Sequence, residues 1–159
     1  MDFSAFFDYP DSETHVQWDD YAFLPQWNTH DWEKLLQHTQ TQVYKQGDTV
    51  IRAGETERAL YLVSYGTLEV LVPVRGQWRQ IYTIWEGSVI GEQTFLDGKP
   101  RSATIVAATD SQVFFLSLTA FEVFAAKEPA LVRSFLFDLG RILSIRLRQT
   151  TALIAQWTI

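Results

Sequence analysis

The chain has no cysteine. Disulfides, thiolate zinc sites and cysteine nucleophiles are therefore excluded, and a reducing compartment is permitted. Histidine is scarce: His15, His30 and His38 all precede the strand-like region, and no His-x-His pair exists. A cupin-type metal centre would need several such ligands converging inside a barrel. No histidine lies where it would activate a serine in that region either. The expectation is a non-enzyme without a metal. Lysine and arginine are missing from residues 1–33, which carry eight Asp or Glu. The opening MDFSAFFDYP thus lacks the basic flank of a signal peptide. No apolar run approaches the ~20 residues needed to span a bilayer. A soluble, cytoplasmic chain without a membrane partner is expected.

The formal net charge is −6, but the remaining eleven acidic and thirteen basic residues leave the rest of the chain nearly neutral. It lacks the strongly basic face of a nucleic-acid binder, and no helix-turn-helix sequence follows its last helix. With 159 residues, 47% of them hydrophobic, it suits a single core. Residues 1–21 read as an acidic aromatic tail and 22–159 as the domain. A helix is expected over about 29–39, capped by Thr29, with Trp32, Leu35 and Leu36 on one face.

From Gln42 to Leu118 the pattern changes to short β-rich runs punctuated by Gly47, Gly54, Gly66, Gly76, Gly87 and Gly98. The runs are VYK, TVI, ALYLVS, TLEVLVPV, WRQIYTIW, SATIVAA and QVFFLSL. In the fourth, Leu68, Val70, Val72 and Val74 alternate with Glu69 on the other side. This pattern predicts an all-β barrel, roll or sandwich. Helical periodicity returns after Leu118: a short helix over 120–127 capped by Thr119, then a long one over about 130–156 with Pro129 near its start. The long helix has two apolar stripes: Leu136, Leu143, Leu147 and Ile154, and beside them Phe135, Leu139 and Ile142. One can cover the β-structure while the other meets a partner helix.

The segment richest in chemistry is GEQTFLDGKPRSAT, Gly91 to Thr104. Gly91 permits close backbone approach. A helical turn over 93–97 would point free N–H groups at an anion. Arg101 can clamp a phosphate with paired hydrogen bonds, and Ser102 adds a donor. Glu92 would repel a phosphate, so it belongs at the other edge of the ligand, on a sugar hydroxyl. Phosphate at one end and ribose at the other describe a nucleotide folded back on itself.

This stretch resembles the phosphate-binding cassette of the cyclic nucleotide-binding domain family: Gly-Glu, a short helix, then Arg, a small or hydroxyl residue, and Ala. YKQGDTVIRAGE and LYLVSYGTLEV resemble the family's opening strands, so the likeness covers about residues 23–157. It implies an eight-stranded, jelly-roll-like β-roll, mainly β, with an N-terminal helix and a long C-terminal helix. It further implies a ligand site at Gly91, Glu92, Gln93, Thr94, Arg101, Ser102 and Ala103. Glu92 would take the ribose 2′-hydroxyl, and Arg101 and Ser102 the cyclic phosphate. In the long helix, Arg146 to Thr151 resembles the segment where adjacent hydroxyl residues meet adenine, which implies roles for Thr150 and Thr151. The family usually has an apolar residue and then a small one after the glutamate; Gln93 and Thr94 depart from that. The ligand implied is cAMP, with cGMP open because Ser102 suits either. The chain reads as a regulatory sensor that dimerises through its last helix and signals to an effector protein. The alternative is a ligand-free β-roll serving dimerisation or protein interaction.

Overall fold

The structure is a computed structural model, and it describes residues 21–157. The expectations for the tail before Tyr21 lie outside the described residues. Helix α1 spans Thr29–Leu36. Its N-cap is Asn28, not Thr29. The Asn28 side chain accepts from the Asp31 amide while Asp31 accepts from the Asn28 amide, a reciprocal box that fixes the first turn one residue earlier. Trp32, Leu35 and Leu36 are buried, as the helical spacing requires.

Eight strands follow: β1 Gln40–Tyr44, β2 Thr49–Ile51, β3 Ala59–Tyr65, β4 Leu68–Val74, β5 Gln77–Ile84, β6 Val89–Ile90, β7 Thr104–Ala107 and β8 Ser111–Ser117. They form two antiparallel four-stranded sheets, ordered β1-β8-β3-β6 and β2-β7-β4-β5. Seven of the eight were visible as apolar runs; two-residue β6 is too short to show a period. In β4 the expected alternation holds for Leu68 and Val70, which are buried. It then meets a register shift between Val70 and Leu71, and Val72 and Val74 are only half-buried. A bulge of this kind breaks the two-residue period that the sequence suggested.

Strand β3 explains how the layers stack. Ala59, Tyr61 and Val63 point between the two sheets, with Ile51, Leu68, Val70, Ile84 and Val113. Leu60 and Leu62 point the other way, into a second core with the helices. A strand buried on both faces reads as a continuous apolar run, and ALYLVS does. Gly66 enters its turn at φ 82°, where a Cβ would lie 2.3 Å from the Ser111 hydroxyl, so only glycine fits.

Three further helices complete the fold: α2 Glu92–Asp97, α3 Leu118–Lys127 and α4 Pro129–Trp157. Helix α3 starts before the expected Thr119 cap, because the Ser117 hydroxyl accepts from the Ala120 amide. Phe135, Leu139 and Ile142 on α4 are fully buried against the roll. The other stripe faces outward: Leu136 is 42% exposed, Leu147 68% and Ile154 57%. Phe95 of α2, Phe121 of α3 and Phe135 of α4 pack in series, with ring centroids 5.3 and 4.9 Å apart. The entering chain is tied to α4 as well. Asp138 accepts from the Leu24 amide at 2.6 Å, and Arg141 donates to the Ala22 carbonyl.

Candidate functional site

An open cavity of about 410 Å³ lies between the cassette, the inner face of the second sheet and α4. Its polar wall is Gly91, Glu92, Gln93, Thr94, Arg101, Ser102 and Arg146; Ala103, Val70 and Ile105 are among its apolar lining. All seven cassette residues singled out from the sequence therefore meet in one place.

Gly91 is the pivot. Its φ of 86° is left-handed, and a Cβ there would sit 2.6 Å from an Arg101 nitrogen and 2.8 Å from the Ala59 carbonyl. Both conformation and space demand glycine. From Gly91 the chain turns directly into α2, so the amides of Glu92, Gln93 and Thr94 belong to a first helical turn without intrahelical partners.

Arg101 is 6% exposed. One terminal nitrogen donates to the Gly91 carbonyl at 2.6 Å; the other donates to the Glu57 and Ala59 carbonyls at 2.7 and 3.0 Å. The guanidinium also lies over the Tyr61 ring, 5.8 Å from its centroid. These contacts use three of its five N–H donors. All of the acceptors are neutral, and among the described residues no carboxylate forms an ion pair with Arg101. Burial lowers its pKa from the ordinary arginine value, with partial opposition from Tyr61 and Glu92. Burial likewise pushes the Tyr61 hydroxyl up to about 12, despite the nearby Arg101 charge.

Glu92 is held differently. Its carboxylate pairs with Arg146 at 2.7 Å, and both side chains are under one-tenth exposed. Arg146 also donates to the Val89 carbonyl and to the Ser88 hydroxyl, and lies over the Tyr82 ring. Burial raises the Tyr82 pKa, with Arg146 acting against it. A buried ion pair is retained at a desolvation cost; here it bolts α2 to α4 across the cavity. In the sequence Arg146 stands out only as the start of the Arg146–Thr151 segment. Its signal was an arginine one helical turn before Thr150.

The Ser102 hydroxyl donates to the Gln93 side-chain oxygen at 2.7 Å. The unusual glutamine after Glu92 thus has a definite partner within the cassette. Thr150 and Thr151 are not brought to the cavity wall. Their hydroxyls donate back to the carbonyls of Arg146 and Leu147, both at 2.9 Å, and Thr151 is exposed.

Among the described residues no group of three or more His, Cys, Asp or Glu is placed to hold a metal. Among the same residues no helix is long and apolar enough to cross a membrane.

This geometry agrees with comparisons to known proteins. The chain is 29% identical over 115 residues to the cyclic AMP receptor protein of Thermus thermophilus, covering 72% of this chain and 51% of that protein. It is 35% identical over 89 residues to the cAMP-dependent protein kinase regulatory subunit of Yarrowia lipolytica, covering 56% and 23%. The chain thus spans about half the length of the first relative and about a quarter of the second. Among solved structures, a cyclic nucleotide-binding domain from Methylobacillus flagellatus superposes with a TM-score of 0.77 at 25% identity, over 84% of this chain and 75% of that one. The catabolite activator protein of Thermus thermophilus does so with 0.71 at 25%, over 82% and 60%. A profile of the cyclic nucleotide-binding domain matches residues 41–128, more than half of the chain, and the protein belongs to that family.

Proposed function

We propose that the chain is a non-catalytic sensor that binds a cyclic nucleotide, cAMP foremost, and signals through α4 to an effector protein. In this reading Arg101, Ser102 and the first-turn amides of α2 take the cyclic phosphate, and Glu92 takes the ribose 2′-hydroxyl. The observation that carries it is Arg101: a buried cation on a cavity wall, supported by neutral carbonyls and lacking an anionic partner. A bound phosphate supplies the missing charge, and charge-assisted hydrogen bonds are the strong ones. The relatives named for cAMP support the choice of nucleotide.

One observation favours the rival, a ligand-free interaction module. Glu92 is fully paired by Arg146, so its burial alone does not demand a ligand. Calorimetric titration with cAMP and cGMP separates the two. Binding by the wild-type chain, weakened in folded Arg101→Ala by about 2–4 kcal/mol, or roughly thirty- to a thousandfold, is the expected result. A wild type that binds neither nucleotide, or a folded Arg101→Ala with unchanged affinity, contradicts the proposal.

A further inference from the structure

The Ser102 hydroxyl has a single hydrogen, and Gln93 takes it: Ser102 Oγ donates to Gln93 Oε1 at 2.7 Å. Both residues line the cavity beside the cassette, and both are exposed there. While that bond stands, Ser102 turns only lone pairs to the cavity, and lone pairs repel a phosphate oxygen. Ser102 cannot donate to a phosphate and to Gln93 Oε1 at once. Gln93 is also a position where the sequence departs from the apolar residue usual after the cassette glutamate. An apolar side chain there leaves the hydroxyl free; the glutamine ties the hydroxyl proton to itself.

We propose that Gln93 is a positioning residue for the phosphate: its side-chain amide reverses on ligand binding and donates into Ser102 Oγ, which delivers the Ser102 proton to the cyclic phosphate. This rests on the nucleotide reading of the cavity and adds a residue that acts through Ser102. A glutamine amide has an acceptor end and a donor end of nearly the same shape. A half-turn about its last bond exchanges Oε1 for Nε2 with little change of position. Nε2 then donates to Ser102 Oγ, and the bonds run one way, from Nε2–H to Oγ–H to phosphate oxygen. Hydrogen bonds in series polarise one another, and the last of these is charge-assisted. The reversal itself costs little, because one exposed neutral bond replaces another. Gln93 stands in the first turn of α2, whose amides lack intrahelical partners, so its main chain and its side chain can both supply donors. No apolar residue at this position can do so. An ionised glutamate, which only accepts, would hold the Ser102 proton permanently.

The test titrates cAMP into wild type, Gln93→Leu, Ser102→Ala and the double variant, with circular dichroism confirming the fold. Gln93→Leu should weaken binding about three- to tenfold, and the same change on the Ser102→Ala background should alter it by less than about twofold. Heteronuclear NMR adds a readout that a merely structural role would not move. One proton of the Gln93 side-chain amide, assigned by its loss in Gln93→Leu, should shift downfield when wild type is saturated with cAMP, and should not do so in Ser102→Ala. An equal downfield shift in both proteins puts Gln93 on the phosphate itself and overturns the relay. A leucine variant that binds as well as wild type or better overturns it too, as does an equal loss on both backgrounds. In each of those outcomes, binding that is still lost in Arg101→Ala leaves the sensor intact. A wild type that binds no cAMP overturns both readings.

Discussion

Residues 91, 92 and 101 show how much chemistry a short segment can encode. Gly91 holds a backbone turn that no other residue enters without striking Arg101 or Ala59. Arg101 is pinned by three backbone carbonyls. The residue types and their spacing announced this cassette because it is local: fourteen consecutive residues carry it. Arg146 was not legible in the same way. It meets Glu92 only because α4 crosses the roll 54 positions later, and an arginine on a helix says nothing by itself about what it pairs with. Its presence on Glu92 sharpens the expected behaviour of the sugar contact. A ribose hydroxyl must share a carboxylate that Arg146 already holds. We therefore expect 2′-deoxy-cAMP to bind wild type more weakly than cAMP by about 1–3 kcal/mol, and Glu92→Ala to erase that difference. Equal binding of the two nucleotides by wild type removes Glu92 from the sugar.

At the scale of elements, two physical connections join the cassette to α4. One is the Glu92–Arg146 pair; the other is the aromatic series Phe95, Phe121, Phe135. The pair should show strong coupling in a double-mutant cycle. Arg146→Ala alone leaves a buried carboxylate without its cation and should destabilise the fold by about 3–5 kcal/mol. Glu92→Gln with Arg146→Met should cost less than the two single changes added together. Additive losses in urea unfolding would show that the two side chains act independently. The elements themselves were largely readable, since seven strands and three helices follow from apolar period and glycine punctuation. Besides the bulge in β4, two departures fell at helix starts. At α1 and α3 the cap was one or two residues earlier than expected, because Asn28 and Ser117 compete successfully with Thr29 and Thr119. Candidate caps placed side by side are decided by backbone geometry, which the sequence does not display.

For the whole molecule, α4 is both a wall of the site and the bearer of an apolar stripe left outside. Leu136, Leu147 and Ile154 stay exposed on one side of it, while Phe135, Leu139 and Ile142 are buried on the other. A helix with one stripe on its own core and a second in water is suited to a symmetric pairing with another copy. We expect the chain to sediment as a dimer, and Leu147→Asp to shift it to monomer without loss of fold. A wild-type monomer at micromolar concentration contradicts this arrangement. Dimerisation and ligand binding would then meet on one helix, each able to bias the other by its differential contact energy.

A nucleotide bound beside Arg101 should be felt at α4. Hydrogen exchange followed by mass spectrometry on wild type and Arg101→Ala, with and without cAMP, tests it most directly. Residues 140–157 should gain protection on adding cAMP to wild type, and Arg101→Ala should show no such gain at the same ligand concentration. Wild type saturated with cAMP, yet exchanging over 140–157 as it does without the nucleotide, would contradict it.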